Sequence, residues 1–348
     1  MSSCANRKLR AMGLLPLVVL ASGDCARPRG ELFPPITPAR VWPAPPDVAR
    51  IRLLGDFTGS EDLRASRSGL EVMAAALRGP RPPIRFSGPH AIALASEGRL
   101  AVADSSGAAV HVLDLDARSH IRITGTSESE PFGSPVGVTW ANGNLFVSDA
   151  ERHEVIVLNG QGGFIRRFGA DILGRPVGIA YVPARNAVYV VDGQKHHIAV
   201  FAPHGDLLRT IGARGTAPGE FNYPSHLACR QKQLLVADSG NFRVQLLDLD
   251  GRCLRTIGQV GNAAGDLSLP KGVAFDSDGH VYVVDAHFEN IQIFDANNRL
   301  LMAFGQEGPG PGEFSLPAGL AIDDQDRIWV ADSGNRRVQV FQYLGNAS

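Results

Sequence analysis

The chain writes one phrase twice: "VADSGNFRVQLL" at residues 236–247 and "VADSGNRRVQVF" at residues 330–341. Aligning the remaining sequence on this phrase uncovers six units. Each opens on a proline and a short apolar strand: Pro89, Pro135, Pro176, Pro224, Pro270 and Pro317. Each continues into a strand ending on aspartate: Asp104, Asp149, Asp192, Asp238, Asp285 and Asp332, spaced 45, 43, 46, 47 and 47 residues apart. A polar turn and a third apolar strand follow, then a fourth that usually ends in glycine, as in "LLRTIG" and "LLMAFG". Glycine (39) and proline (23) are abundant across the 348 residues, which suits many short strands joined by turns.

Period-2 patterning with β-branched and aromatic residues predicts a four-stranded antiparallel meander for each unit. One such sheet cannot bury both of its faces, so the units must stack. Radial stacking into a β-propeller is the known solution at this period. The sixth unit stops after "VQVFQYLG" without a fourth strand, whereas "ARIRLLG" (49–55) matches "GRCLRTIG" (251–258) and "NRLLMAFG" (298–305). The expectation is an all-β, six-bladed β-propeller over 87–345, its ring closed by residues 48–57 serving as the last blade's outer strand.

The units "GEFSLPAGLAIDDQDRIWVADSGNRRVQVF" (312–341) and "GEFNYPSHLACRQKQLLVADSGNFRVQLLDLDGRCLRTIG" (219–258) resemble NHL repeats. The layout as a whole is similar to exported bacterial NHL-repeat proteins of unassigned function. The first three units depart from the repeat at its asparagine.

Upstream, Arg7, Lys8 and Arg10 precede the apolar run "AMGLLPLVVLA" (11–21), which reads as an export signal and is too short to span a bilayer. "LASGDC" resembles a lipobox with Cys25 as the lipidated residue, departing from it at Asp24. Ala21 and Gly23 also fit ordinary signal cleavage. Both readings, over residues 1–25, place the mature protein outside the cytoplasm: a periplasm-facing or cell-surface lipoprotein, or a secreted one. Residues 26–47 are proline-rich and read as a semi-rigid tether. Residues 58–86 read as a short helical insert, with Ser60 as N-cap, Gly79 at its end, and Leu63, Leu70, Met73, Ala74 and Leu77 on one face. Cys4 lies in the leader. Cys229 and Cys253 fall on the first and fourth strands of one unit, about 14 Å apart at ~4.8 Å per strand. A disulfide needs Cα atoms within ~7 Å, so none is expected.

The six aspartates read as turn formers that accept hydrogen bonds from amides of the turn they precede. Function must then lie where the units differ. The loops after the aspartates carry Arg152, His153, Lys195, His196, His197, Arg243, His287, Arg336 and Arg337, a basic, histidine-rich face on a chain of net charge −1. Such a face suits anionic groups or an acidic segment of a partner. Near the expected axis, the candidates are His90, His226 and Lys271. "PHAIAL" (89–94) resembles the motif that supplies zinc-binding histidines in peptidyl-hydroxyglycine lyases, so His90 is a candidate metal ligand. His226 is displaced by one residue from His90's place, which in a regular strand would turn it to the opposite face.

These features favour an exported, membrane-tethered binding or scaffold module. Its loop face would take a protein, peptide or glycan of the cell envelope, with no cofactor. The alternative is a metal-dependent lyase or hydrolase at the axial channel, using zinc or calcium and resembling the hydroxyglycine lyases or propeller lactonases. Neutral charge and export disfavour nucleic acid, which other NHL domains bind. The mature chain is expected to hold no transmembrane helix.

Overall fold

The structure, a computed structural model, describes residues 31–63, 82–95 and 98–345. Cys25, the stretch read as an export signal and most of the stretch read as a helical insert lie outside the described residues. The rest forms a six-bladed β-propeller of antiparallel sheets. Blade one comprises Pro89–Leu94, Arg99–Asp104, Ala109–Asp114 and Ser119–Ile123, running from the axis outward. The inner strands of blades two to six are Pro135–Ala141, Pro176–Val182, His226–Arg230, Pro270–Phe275 and Pro317–Ile322. Each inner strand touches the inner strands on both sides, and the sixth returns to the first, so the ring is closed.

Closure uses the upstream segment. Ile51–Phe57 pairs antiparallel with Arg337–Tyr343, from Ile51 opposite Tyr343 to Phe57 opposite Val338, and completes blade six. Val41–Trp42 pairs with Ile51 and Arg52 and adds a fifth strand. From residue 31 onward, the stretch read as a tether is therefore part of the fold. Phe33 packs edge-on against Phe57, and Trp42 lies against Phe304 and Phe341. Apolar side chains between the prolines make that packing more favourable than an exposed spacer.

The core is divided six ways, with one apolar cluster in each blade-to-blade interface. Strand alternation explains the division. On the second strand of blade three, Val188 and Val190 face blade two, while Tyr189 and Val191 face blade four. Both faces of each sheet are thus buried, and these strands read as near-continuous apolar runs.

The repeated phrase is a single hydrogen-bonded unit. In blade four, Asp238 accepts from Asn222 N at 2.7 Å, Asn241 Nδ2 at 2.8 Å and Arg243 Nε at 2.8 Å. Arg243 also donates to the Thr216, Ala217 and Glu220 carbonyls, and Gln245 Nε2 donates to the Glu220 carbonyl at 2.7 Å. The carboxylates therefore reach further than the following turn. In every blade the aspartate also accepts from an amide of the loop that enters the blade, such as Ser87 N on Asp104 and Gly174 N on Asp192, both at 2.6 Å. The residue before each third strand has positive φ without being glycine: Ala108, His153, His196, Phe242, Glu289 and Arg336.

Cys229 and Cys253 occupy the first and fourth strands of blade four and both are free. Burial raises the Cys229 thiol to about 11, so it behaves as a small apolar side chain.

Candidate functional site

The starts of the inner strands converge at one mouth of the axial channel, on the face that also carries the loops after the aspartates. There the imidazoles of His90 in blade one and His226 in blade four stack, centroids 5.3 Å apart and planes 21° from parallel. Blades one and four are opposite members of a six-membered ring, so the pair meets across the axis and plugs it.

The expected turn of His226 to the face opposite that of His90 is thus corrected. A register shift between Pro89 and Ala91 places His90 in a bulge, where strict alternation fails. His226 pairs with Ala237, the residue before its blade's aspartate, as Ala91 pairs with Ala103. The counterpart in blade two is Gly137, which pairs with Ser148. The channel waist is narrow, and a Cβ on Gly178 would come within 2.7 Å of the His226 Cα. A one-residue offset from the proline therefore leads to the same space as a bulged residue beside the proline.

His90 donates Nδ1–H to the Val136 carbonyl at 2.8 Å. His226 is 8% exposed and neither of its ring nitrogens has a hydrogen-bond partner; the nearby His90 backbone falls short of bonding geometry. Burial, with Lys271 and Arg175 beside it, holds His90 down to about 4, and burial, with His90 and Lys271, holds His226 well below its ordinary value. Lys271 follows Pro270 as His90 follows Pro89, and its ammonium is also depressed by burial and by Arg175. Arg175 stands exposed just before Pro176. Lys271 bears on both imidazoles and Arg175 on His90 and Lys271, with no carboxylate among the four.

This donor set does not fit a catalytic zinc. Such a site takes three protein ligands, and two of the four groups here are cations that oppose a metal ion. Among the described residues, no three His, Cys, Asp or Glu side chains gather as a metal-binding group.

The basic face is thinner than its sequence suggests. Arg337, 7% exposed, and Arg243 are held inside by their aspartates and by loop carbonyls. Arg152 bonds Glu154 and the Pro131 carbonyl, and Lys195 bonds the Ile172 carbonyl. His153 meets the Gly174 carbonyl. His196 is buried and accepts from Tyr223 N at 2.9 Å. His197 is half-buried, with its Nε2 unpartnered. Arg336 and His287 stand exposed on the surface.

Three apolar residues on this face went unread in the sequence. Tyr223, Leu269 and Leu316 directly precede the inner-strand prolines of blades four, five and six, and are 59%, 37% and 60% exposed. Blades one, two and three carry Gly88, Ser134 and Arg175 at that place. The mouth is therefore apolar on one side and polar on the other.

The opposite end of the channel opens into a cavity of about 520 Å3. Ile92, Val138, Ile179, Leu227, Val273 and Leu320 line it, one from each blade. Each lies three residues after its proline, a signal present in the sequence once the repeat is aligned. Between cavity and plug, the waist holds about 40 Å3. Among the described residues, no helix is long and apolar enough to cross a membrane.

The NHL repeat family model matches residues 267–294 and 314–341, so the chain carries NHL repeats. It is 25% identical over 132 residues to Protein brain tumor of Drosophila melanogaster, covering 37% of this chain and 13% of that one. It is 25% identical over 129 residues to the B-box type zinc finger protein ncl-1 of Caenorhabditis elegans, covering 36% and 15%. The match thus spans a small part of either relative. By structure, the chain is similar to an auxiliary nutrient binding protein from Bacteroides thetaiotaomicron, with TM-score 0.59, 13% identity, and 74% and 69% of the two chains covered. A Bacteroides thetaiotaomicron protein of unknown function gives TM-score 0.58 at 19% identity, covering 76% and 71%. Virginiamycin B lyase from Staphylococcus aureus gives TM-score 0.55 at 14% identity, covering 74% and 95%. At these identities the likeness is one of fold.

Proposed function

We propose that this NHL-repeat, six-bladed propeller is an exported binding module, lipid-anchored through Cys25, whose loop face takes a protein, peptide or glycan of the cell envelope. One observation carries the reading. The mouth on that face sets exposed Tyr223, Leu269 and Leu316 beside uncompensated cationic groups, which is a surface for recognition. The catalytic alternative lacks comparable support, because its best-placed histidines sit among cations and lack a third ligand. The fold is shared with an auxiliary nutrient binding protein and with a lyase, and the chemistry of the mouth favours binding.

The test uses the full chain on peptide and glycan arrays. Tyr223→Ser combined with Arg336→Glu is expected to abolish the signals, while Leu208→Ser on an outer strand leaves them unchanged. Signals indifferent to the loop-face variant would overturn the reading. The anchor is checked separately: labelled fatty acid should enter the wild-type chain in its envelope fraction and not Cys25→Ala.

A further inference from the structure

Resting on that loop-face reading, we propose that His90, His226, Lys271 and Arg175 form a carboxylate pocket at the channel mouth, whose ligand is an apolar body or chain end bearing one free carboxylate. Three independent observations converge on it. The first is His226, more than nine-tenths buried with both ring nitrogens unpartnered, facing the stacked His90. A buried polar group without a partner is costly, and an anion placed against it removes that cost.

The second is charge. The charged groups that bear on the two imidazoles are Lys271 on both, Arg175 on His90 and His90 on His226, all cationic or able to become so. Glu289, a carboxylate of the same face, accepts from Leu316 N at 3.2 Å and is not among them. A ligand carboxylate would supply the missing counter-charge, with Arg175 able to grip it bidentately.

The third is shape. The waist beneath the plug holds about 40 Å3, room for a few water molecules and not for an organic ligand. A ligand therefore enters from the loop face only, and its charged end leads. Its apolar remainder then meets Tyr223, Leu269 and Leu316, which stand exposed on one side of the mouth. An end-on carboxylate with an apolar body fits all three constraints.

The imidazoles are neutral near pH 7 while the cations crowd them, and a bound anion would raise their proton affinity. Binding then takes up protons, so affinity increases as pH falls.

The experiment is calorimetric titration of the full chain with N-acetyl-Phe-Leu as the free acid, with its C-terminal amide, and with octanoate. The acid is expected to bind about 10- to 100-fold more tightly than the amide, the range of a charge-assisted hydrogen bond. Arg175→Gln and Lys271→Met should each remove most of that preference while leaving the melting temperature near wild type. The acid's affinity should also rise between pH 7.5 and pH 5.5. Octanoate displacing the peptide acid would mark a small lipophilic acid as the source of the carboxylate, and failure to displace it would mark a chain terminus; both support the pocket. Equal binding of acid and amide, no binding of the acid, or binding unmoved by both variants would overturn it. Array signals that still depend on Tyr223 and Arg336 would then leave the broader reading standing.

Discussion

Arg337 Nε lies 2.8 Å from Asp332 Oδ2, with the two side chains 9% and 0% exposed. Asn335 and Gln339 donate to the same carboxylate, and Arg337 reaches on to the Gly310 and Glu313 carbonyls. Asp332, Asn335, Arg337 and Gln339 of the repeated phrase thus bind the entering loop to its hairpin, while Ser333 donates to the Pro89 carbonyl of the next blade. Removing only the acceptor leaves a buried guanidinium with Asp56, at 3.8 Å, as its remaining ion-pair partner. Asp332→Ala should cost about 3–5 kcal/mol, whereas Arg337→Met, which leaves the Asp332 carboxylate its Ser315, Asn335 and Gln339 donors, should cost less. Denaturant titration of both variants checks this, and equal losses would contradict the account.

The positive-φ residues before the third strands offer a gain. Ala108 has φ 43°, a region that costs a residue with a Cβ about 1 kcal/mol and costs glycine little. Ala108→Gly should therefore stabilise by up to about 0.5–1 kcal/mol, and Ala108→Val should destabilise by more than about 1 kcal/mol. Paired thermal melts decide the sign.

Ring closure depends on Ile51, Leu53 and Phe57, which are 0%, 4% and 1% exposed. Burying three such side chains contributes on the order of 4.5–9 kcal/mol at about 1.5–3 kcal/mol each. A chain beginning at residue 58 should lose at least that much, expose the edge of Arg337–Tyr343 and self-associate. Light scattering together with thermal unfolding reads both effects. A monomeric product with unchanged stability would refute this role for the strand.

Among the described residues, four histidines make stability depend on pH, because burial holds each below its ordinary value in the fold: His90, His120, His197 and His226. His90 at the mouth is held down to about 4. His120, whose Nε2 lies 2.8 Å from His111 Nδ1, is held to about 4 by burial and by the His111 charge. His111 in turn lies 3.3 Å from Asp104, and the Phe86 ring packs against both imidazoles. Unfolded, each ring titrates near its ordinary 6.5. The unfolded chain therefore binds protons first as pH falls, and stability is lost between about pH 6.5 and pH 4. The loss should be several kcal/mol, at about 1.4 kcal/mol per histidine for each pH unit between its unfolded and folded values, and His120→Gln should flatten the slope. A melting temperature constant across that window would contradict the assignment.

Much of the architecture is carried by one-dimensional order. Proline, aspartate and glycine recur at fixed offsets because each blade needs the same turns, so blade number, strand ends and the closing strand at residues 49–55 can be read by aligning the chain on itself. The role of Arg243 and Arg337 could not, because a cation beside a turn looks the same whether it faces water or a loop carbonyl of its own blade. The packing of residues 31–47 against blade six is decided by partners such as Phe304 and Phe341, which lie hundreds of residues away.

The mouth was the least legible part. His90 and His226 are separated by 136 residues, and alternation counted from the prolines sends them apart. Only the bulge at His90 and closure of the ring bring them face to face across the axis. Sequence by itself determined the repeating element and its number, since those follow from local patterning. Tertiary structure alone decided which unlike residues of opposite blades share the axis, because that depends on how six copies close around it.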